Sequence, residues 1–130
     1  MSLFYKKMQR ANPRDPQAPK LWYPILKSVG LVREKEVGRL LAEETTLNPK
    51  EAEMTLYQLL KVIIRLLLDG HTVQLGELGT FRLVIRTEGS ENEADANASK
   101  IKNLLLQFVA SATVREQLKH ASYKDVTDLQ

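Results

Sequence analysis

The chain has 130 residues, of which 43% are hydrophobic, a length that supports one modest core or one domain with an appendage. It contains no cysteine, which excludes disulfides, thiolate catalysis and cysteine-ligated zinc. No run reaches the roughly 18 apolar residues of a membrane span, and "MSLFYKKMQR" lacks the apolar stretch of a signal peptide. We therefore expect a cytoplasmic protein with no membrane partner.

The net charge of +3 is unevenly distributed along the chain. Residues 1–40 contain nine Lys and Arg against three acids, whereas residues 41–100 contain six bases and ten acids. The position of the surplus matters more than its sum, because a cluster of bases favours polyanionic partners. A basic surface is therefore expected near the N-terminus.

Two strands are predicted at residues 3–9 and 20–27, on either side of a loop that contains three prolines. Pro24 has no backbone N–H, so it favours an edge position for the second strand. Together these segments make residues 1–31 a predicted N-terminal β extension.

The bases on the first strand are candidates for phosphate binding. They are Lys6, Lys7 and Arg10. Strand alternation places Lys6 and Lys7 on opposite faces, so the three cannot all point to one ligand. The alternative is an ordinary basic edge, since lysines also protect exposed strands from pairing.

Two helices follow the β extension. Apolar residues at three-to-four spacing predict the first over residues 33–44. The stretch "LNPKEAE" begins the second, with Asn48 as N-cap, a proline at the first helical position and a glutamate placed for a capping box. This helix is predicted to run from Pro49 to about Asp69.

The second helix is apolar almost all round at "VIIRLLL", residues 62–68. A two-layer monomer of this size cannot easily cover such a surface. The sequence therefore predicts a homodimer with intertwined helices. The alternative is an unusually buried helix in a monomer.

A hairpin is predicted over residues 71–86, where apolar side chains alternate and two glycines are available for the turn. A further strand is predicted at residues 100–108, and a short last helix at residues 111–121 with Ser111 as its cap. Helices and antiparallel strands in this order indicate an α+β fold.

This order of elements resembles the bacterial histone-like DNA-binding family of HU and integration host factor, over about residues 32–123. The family's hairpin motif V-x-L-x-G-F-G-T-F is matched at Val73, Leu75, Gly79, Thr80 and Phe81. Its F-x-P-S-x-x-L-x-x-x-L motif is matched at Phe108, Ser111, Val114 and Leu118, with Ala110 in place of the proline. The N-terminal segment resembles the one that is added in an HU-related branch of the family.

The resemblance implies an intertwined dimer with a two-helix base, a β-saddle that carries arms, a short C-terminal helix and extra N-terminal strands. It implies a non-enzymatic nucleoid protein that binds double-stranded DNA with little sequence specificity. No cofactor and no small-molecule substrate are expected. The sequence agrees, because no nucleophile–base pair, phosphate-binding glycine loop or metal-ligand cluster is visible in it.

The resemblance also suggests where DNA binds. Arg82 lies on the first saddle strand and Arg86 at the foot of the arm. Alternation points both away from Phe81, Leu83 and Ile85. Lys100 and Lys102 begin the returning strand. The predicted site comprises these four residues, assisted by Lys6, Lys7 and Arg10.

The arm departs from the family pattern. Residues 87–99 have no proline wedge and no base, and they carry four carboxylates, at Glu88, Glu91, Glu93 and Asp95. We expect a flexible acidic arm that repels phosphates, because charges this close are little screened at physiological salt. The alternative function is therefore a dimeric interaction or structural module that no longer bends DNA. Residues 124–130 are expected to form a tail.

Overall fold

The computed structural model describes residues 1–129 and has the mixed α+β fold that the sequence predicted. Its strands are β1 (Ser2–Arg10), β2 (Leu21–Lys27), β3 (Val73–Leu75), β4 (Gly79–Thr87), β5 (Ile101–Ala110) and β6 (Ser122–Asp125). Its helices are α1 (Glu34–Glu43), α2 (Pro49–Leu68) and α3 (Ala112–Leu118). Within the described part of the chain, no helix combines the length and apolar character needed to cross a membrane.

The chain divides into two compact units. Residues 1–33 and those from 117 onward form the first, which we call the N-terminal sheet unit; residues 34–116 form the second, the helix-hairpin unit. The sequence analysis treats residues 32–123 as one domain. The two units of the structure divide the chain elsewhere, because the last strand, β6, pairs with β1.

The N-terminal sheet has the strand order β2-β1-β6. β1 and β2 are antiparallel, and Pro24 lies opposite Lys7. β2 is an edge strand, as the missing N–H of Pro24 predicted. β6 runs parallel to β1, and after it the Val126 N–H donates to the Tyr5 carbonyl at 2.9 Å. Val126 is buried, so this segment anchors part of the predicted tail.

The two long helices begin and pack as their sequences favour. Asn48 caps α2, since its side-chain oxygen accepts a hydrogen bond from the Glu51 N–H at 2.9 Å. The predicted capping box does not form in its usual way, because the Glu51 carboxylate accepts a hydrogen bond from the Asn48 side-chain amide. α1 approaches α2 closely at Gly38, where an added Cβ would lie 3.1 Å from the backbone nitrogen of Glu53.

The second sheet has the order β3-β4-β5 and contains the predicted hairpin. The rings of Phe81 and Phe108 pair across β4 and β5 with centroids 4.9 Å apart. Ser111 caps α3, since its hydroxyl accepts from the Val114 N–H at 3.2 Å. The helix ends at Leu118, earlier than the predicted residue 121.

One face of this sheet is apolar, and it is better covered at the start of β4 than on β5. Phe81 and Leu83 on β4 are half-buried, whereas Ile85 further along the strand is exposed. Phe108 and Leu106, which lie opposite Phe81 and Leu83, are 46% and 59% exposed. Within residues 1–129 of the single chain, the apolar side of β5 therefore lacks a covering layer.

Candidate nucleic-acid interface

The polar face of the second sheet carries two arginines. Alternation along β4 places Arg82 and Arg86 on one face, and their partners on β5 are Gln107 and Asn103. All residues of β4 and β5 are free of Asp and Glu. The two guanidinium groups therefore lie on a strand pair that has no neutralising carboxylate of its own.

The loop before β4 depends on Gly79. Its φ is 151°, and it is buried beside β5. An added Cβ would contact the Val109 carbonyl oxygen and lie 2.7 Å from Cε2 of Phe108. Only glycine fits this position, which begins the strand that carries both arginines.

A cross-strand hydrogen bond orients one of these arginines. Arg82 is exposed, and its Nε donates to Oε1 of Gln107 at 2.5 Å. A guanidinium has five N–H donors, so this bond leaves donors for a phosphate oxygen. Gln107 is a candidate site residue that the sequence analysis missed. The register of β4 with β5 places it opposite Arg82.

The predicted lysines at the start of β5 lie in an irregular segment. The pairing passes from Arg86–Asn103 to Thr87–Ile101, so Lys102 is the extra residue of a bulge. Its Nζ lies 2.8 Å from a carboxylate oxygen of Glu88. Lys100 is half-buried and precedes β5. Its backbone carbonyl accepts a hydrogen bond from the Glu88 N–H at 3.0 Å. Glu88 therefore closes the base of the arm and pairs with a predicted DNA-binding lysine.

The rest of the arm is exposed and acidic. It contains two short 3-10 turns, Glu93–Asp95 and Ala98–Lys100, and the second is capped by Asn97, whose side chain accepts from the Ser99 N–H at 2.9 Å. The carboxylates of the arm do not form a metal cluster. In the described residues, no three His, Asp or Glu side chains are grouped so that they could share an ion.

The N-terminal sheet separates the three bases predicted on β1. Lys6 and Arg10 lie on one face, and Lys7 lies on the other. Lys7 Nζ is 3.3 Å from the Asp125 carboxylate. Hydrogen bonds from Thr127 lower the pKa of Asp125, and Lys7 lowers it further, so the carboxylate is ionised at neutral pH. Lys7 is therefore already paired, unlike the arrangement that the sequence suggested.

Two other lysines lie on the face that carries Lys6 and Arg10. They are Lys27 on β2 and Lys124 on β6, each opposite Phe4 of β1. The position of Lys27 on this face can be predicted once the β1–β2 register is known. Lys124 carries no local signal, since its place depends on the pairing of two segments from opposite ends of the chain.

A family model described as "HU domain fused to wHTH, Ig, or Glycine-rich motif" matches residues 1–124. The chain belongs to this family, HU-HIG. The match includes the N-terminal strands, so the extension is part of the family's pattern and not a separate addition. No curated protein matches the chain.

Two solved structures resemble the HU-HIG chain. One is a protein from Bacteroides vulgatus ATCC 8482 described as a "Putative bacterial DNA binding protein", with 14% identity and a TM-score of 0.61. That match covers 95% of this chain but 48% of the other, so the chain spans about half the length of that relative. The second is Anabaena HU in a cocrystal with DNA, with 21% identity and a TM-score of 0.55, covering 68% of this chain and 99% of that one. At these low identities, the structural similarity shows a shared fold.

Proposed function

We propose that this HU-HIG protein is a non-enzymatic homodimer that binds double-stranded DNA through its phosphates, with little base readout, in an architectural role in the nucleoid. The observation that carries the proposal is the polar face of β4 and β5, which presents Arg82 and Arg86 without any Asp or Glu on either strand. Membership of an HU family and the DNA bound to Anabaena HU support the choice of ligand. Lys100 extends the site, whereas Lys102 is held at its edge by Glu88.

The spacing of the two arginines suits phosphates on the outside of a duplex. They are four residues apart on one strand, which corresponds to about 13 Å. Duplex DNA carries one charge per about 1.7 Å of axis, so several phosphates lie within that span. Side chains that contact phosphates position the protein without reading sequence. Low base specificity follows from this geometry.

Homodimerisation is supported by the amount of surface that the chain leaves exposed. Its accessible surface is 11413 Å². By the scaling for folded monomers, two separate units of about 83 and 47 residues would expose about 8,300 Å² in total. The excess is about 3,100 Å² per chain, or about 6,200 Å² for two chains, which is as large as the largest total areas that obligate dimers bury, about 2,000–5,000 Å² or more. A second copy over α2 and the apolar side of β5 would cover a large part of it.

The test is an anisotropy titration of labelled duplex DNA over a series of salt concentrations. If each arginine of the dimer neutralises one phosphate, Arg82→Ala/Arg86→Ala removes four contacts and is expected to reduce the salt slope by about 3.6 and to weaken binding about 4,000-fold at 0.1 M salt. Lys35→Ala/Lys50→Ala is the matched control, since it removes two exposed charges from the helices. This control is expected to bind like the wild type.

Two outcomes would contradict the assignment. Absence of binding at low salt would favour the alternative, an HU-like interaction module that no longer grips DNA. Equal losses in the arginine variant and the lysine control would mean that net charge, and not the polar face, determines affinity.

The pair between Glu88 and Lys102 leads to a separate prediction. Glu88→Gln removes the carboxylate that holds Lys102 while keeping the backbone bond to Lys100. Release of one lysine to a phosphate in each chain of the dimer is expected to strengthen DNA binding by up to about 60-fold at 0.1 M salt. Glu93→Gln, which removes the same charge from the exposed arm, is the control in the same titration. An equal gain in both variants would assign the effect to the general charge of the arm.

A further inference from the structure

The N-terminal sheet assembles a row of cations that no sequence segment contains. On β1, Phe4 has Lys27 of β2 opposite it on one side and Lys124 of β6 on the other. Lys6 and Arg10 follow on the same face of β1 by alternation. We call these four residues, Lys6, Arg10, Lys27 and Lys124, the basic face. All four are exposed.

The basic face has no acid of its own. Its other strand residues are apolar or uncharged: Ser2, Phe4, Met8, Leu21, Tyr23, Ile25 and Ser122. The one carboxylate on these three strands, Asp125, lies opposite Tyr5 on the other face, where it pairs with Lys7. The fold therefore separates a neutralised face from an unneutralised one.

The spacing of the cations suits a polyanion. Strands in a sheet are about 4.8 Å apart, so the backbones of Lys27 and Lys124 lie about 10 Å from each other across β1. A ligand with closely spaced negative charges can contact both cations, and its binding releases its own counterions.

We propose that the basic face is a second surface for duplex DNA phosphates, distinct from the polar face of β4 and β5. The choice of duplex DNA among polyanions rests on the proposed function. Lys27 and Lys124 are assigned to it together with Lys6 and Arg10, and Lys7 is excluded from it. The N-terminal strands thus supply phosphate contacts that the acidic arm does not supply.

The test uses the full chain and the same anisotropy titration. With one phosphate per lysine in both chains of the dimer, Lys27→Ala/Lys124→Ala is expected to reduce the salt slope by about 3.6 and the affinity at 0.1 M salt about 4,000-fold. Lys7→Ala, on the opposite face of the same sheet, is expected to leave the slope unchanged. Circular dichroism establishes that each variant is folded.

The two sites are tested independently by combining the variants. A quadruple variant that also carries Arg82→Ala/Arg86→Ala is expected to lose about 7.2 from the slope of the dimer if the surfaces act separately. If the arginine variant binds like the wild type while the lysine variant is impaired, the polar-face site fails and the basic face stands. If Lys27→Ala/Lys124→Ala behaves like Lys7→Ala, the basic face is overturned. Unchanged DNA binding together with lost binding to phosphatidylserine vesicles would overturn it in favour of a membrane surface.

Discussion

Replacing Gly79 with alanine is expected to destabilise the helix-hairpin unit by about 3 kcal/mol or more. The new methyl group would meet the Val109 carbonyl oxygen and the Phe108 ring, the latter at 2.7 Å. The backbone there also has a φ of 151°, which a side chain rarely adopts. Backbone and aromatic ring cannot both move aside without breaking the pairing of β4 with β5. The effect should reach the proposed DNA site, since Arg82 lies three residues further along β4.

Chemical denaturation at a fixed protein concentration measures this loss. Gly89→Ala is the matched control, because an added Cβ at Gly89 meets nothing within 4 Å. It is expected to change the free energy of unfolding by less than about 0.5 kcal/mol. Equal stability of the two alanine variants would show that the close approach at Gly79 is not required for folding.

Leu106→Asp is expected to abolish dimerisation. Leu106 is 59% exposed on the apolar side of β5, opposite Leu83. In a twofold-symmetric dimer the substitution acts twice, and burial of the exposed part of each leucine contributes about 1–2 kcal/mol, so the dissociation constant should rise at least about 30-fold. A carboxylate buried without a partner adds to this penalty.

Light scattering distinguishes the states, since one chain has a mass of 14.8 kDa. The wild type is expected at twice that mass, and Leu106→Asp at the mass of one chain, with a lower melting temperature. Leu105→Asp introduces the same change on the opposite face of the same strand and is expected to remain dimeric. A wild-type mass of 14.8 kDa, or dissociation of both variants alike, would contradict the proposed interface.

Local patterns were sufficient for most of the secondary structure. Asn48 and Pro49 marked the start of α2, and Pro24 marked an edge strand. These features depend on backbone donors and dihedral angles within a few residues, which the sequence specifies directly. For the same reason, alternation alone correctly separated Lys6 from Lys7.

The candidate site was only partly predictable, because charges act through neighbours in space. Arg82 and Arg86 could be placed on one face from β4 alone. The ion pair of Lys102 with Glu88 required the bulge, which shifts the register by one residue and is not encoded by composition. The sequence therefore identified the bases but not which of them are already paired.

Some features depend only on residues that are close in sequence, and these follow from the amino-acid sequence alone. They are the helices, the hairpin, its glycine and the family motifs. Strand β6, the pair between Lys7 and Asp125 and the basic face exist only in the folded chain. They bring segments from the two ends of the chain into one sheet, and short-range patterns contain no information about which distant strand pairs with which. Tertiary pairing therefore decided which lysines are neutralised and which face DNA is proposed to contact.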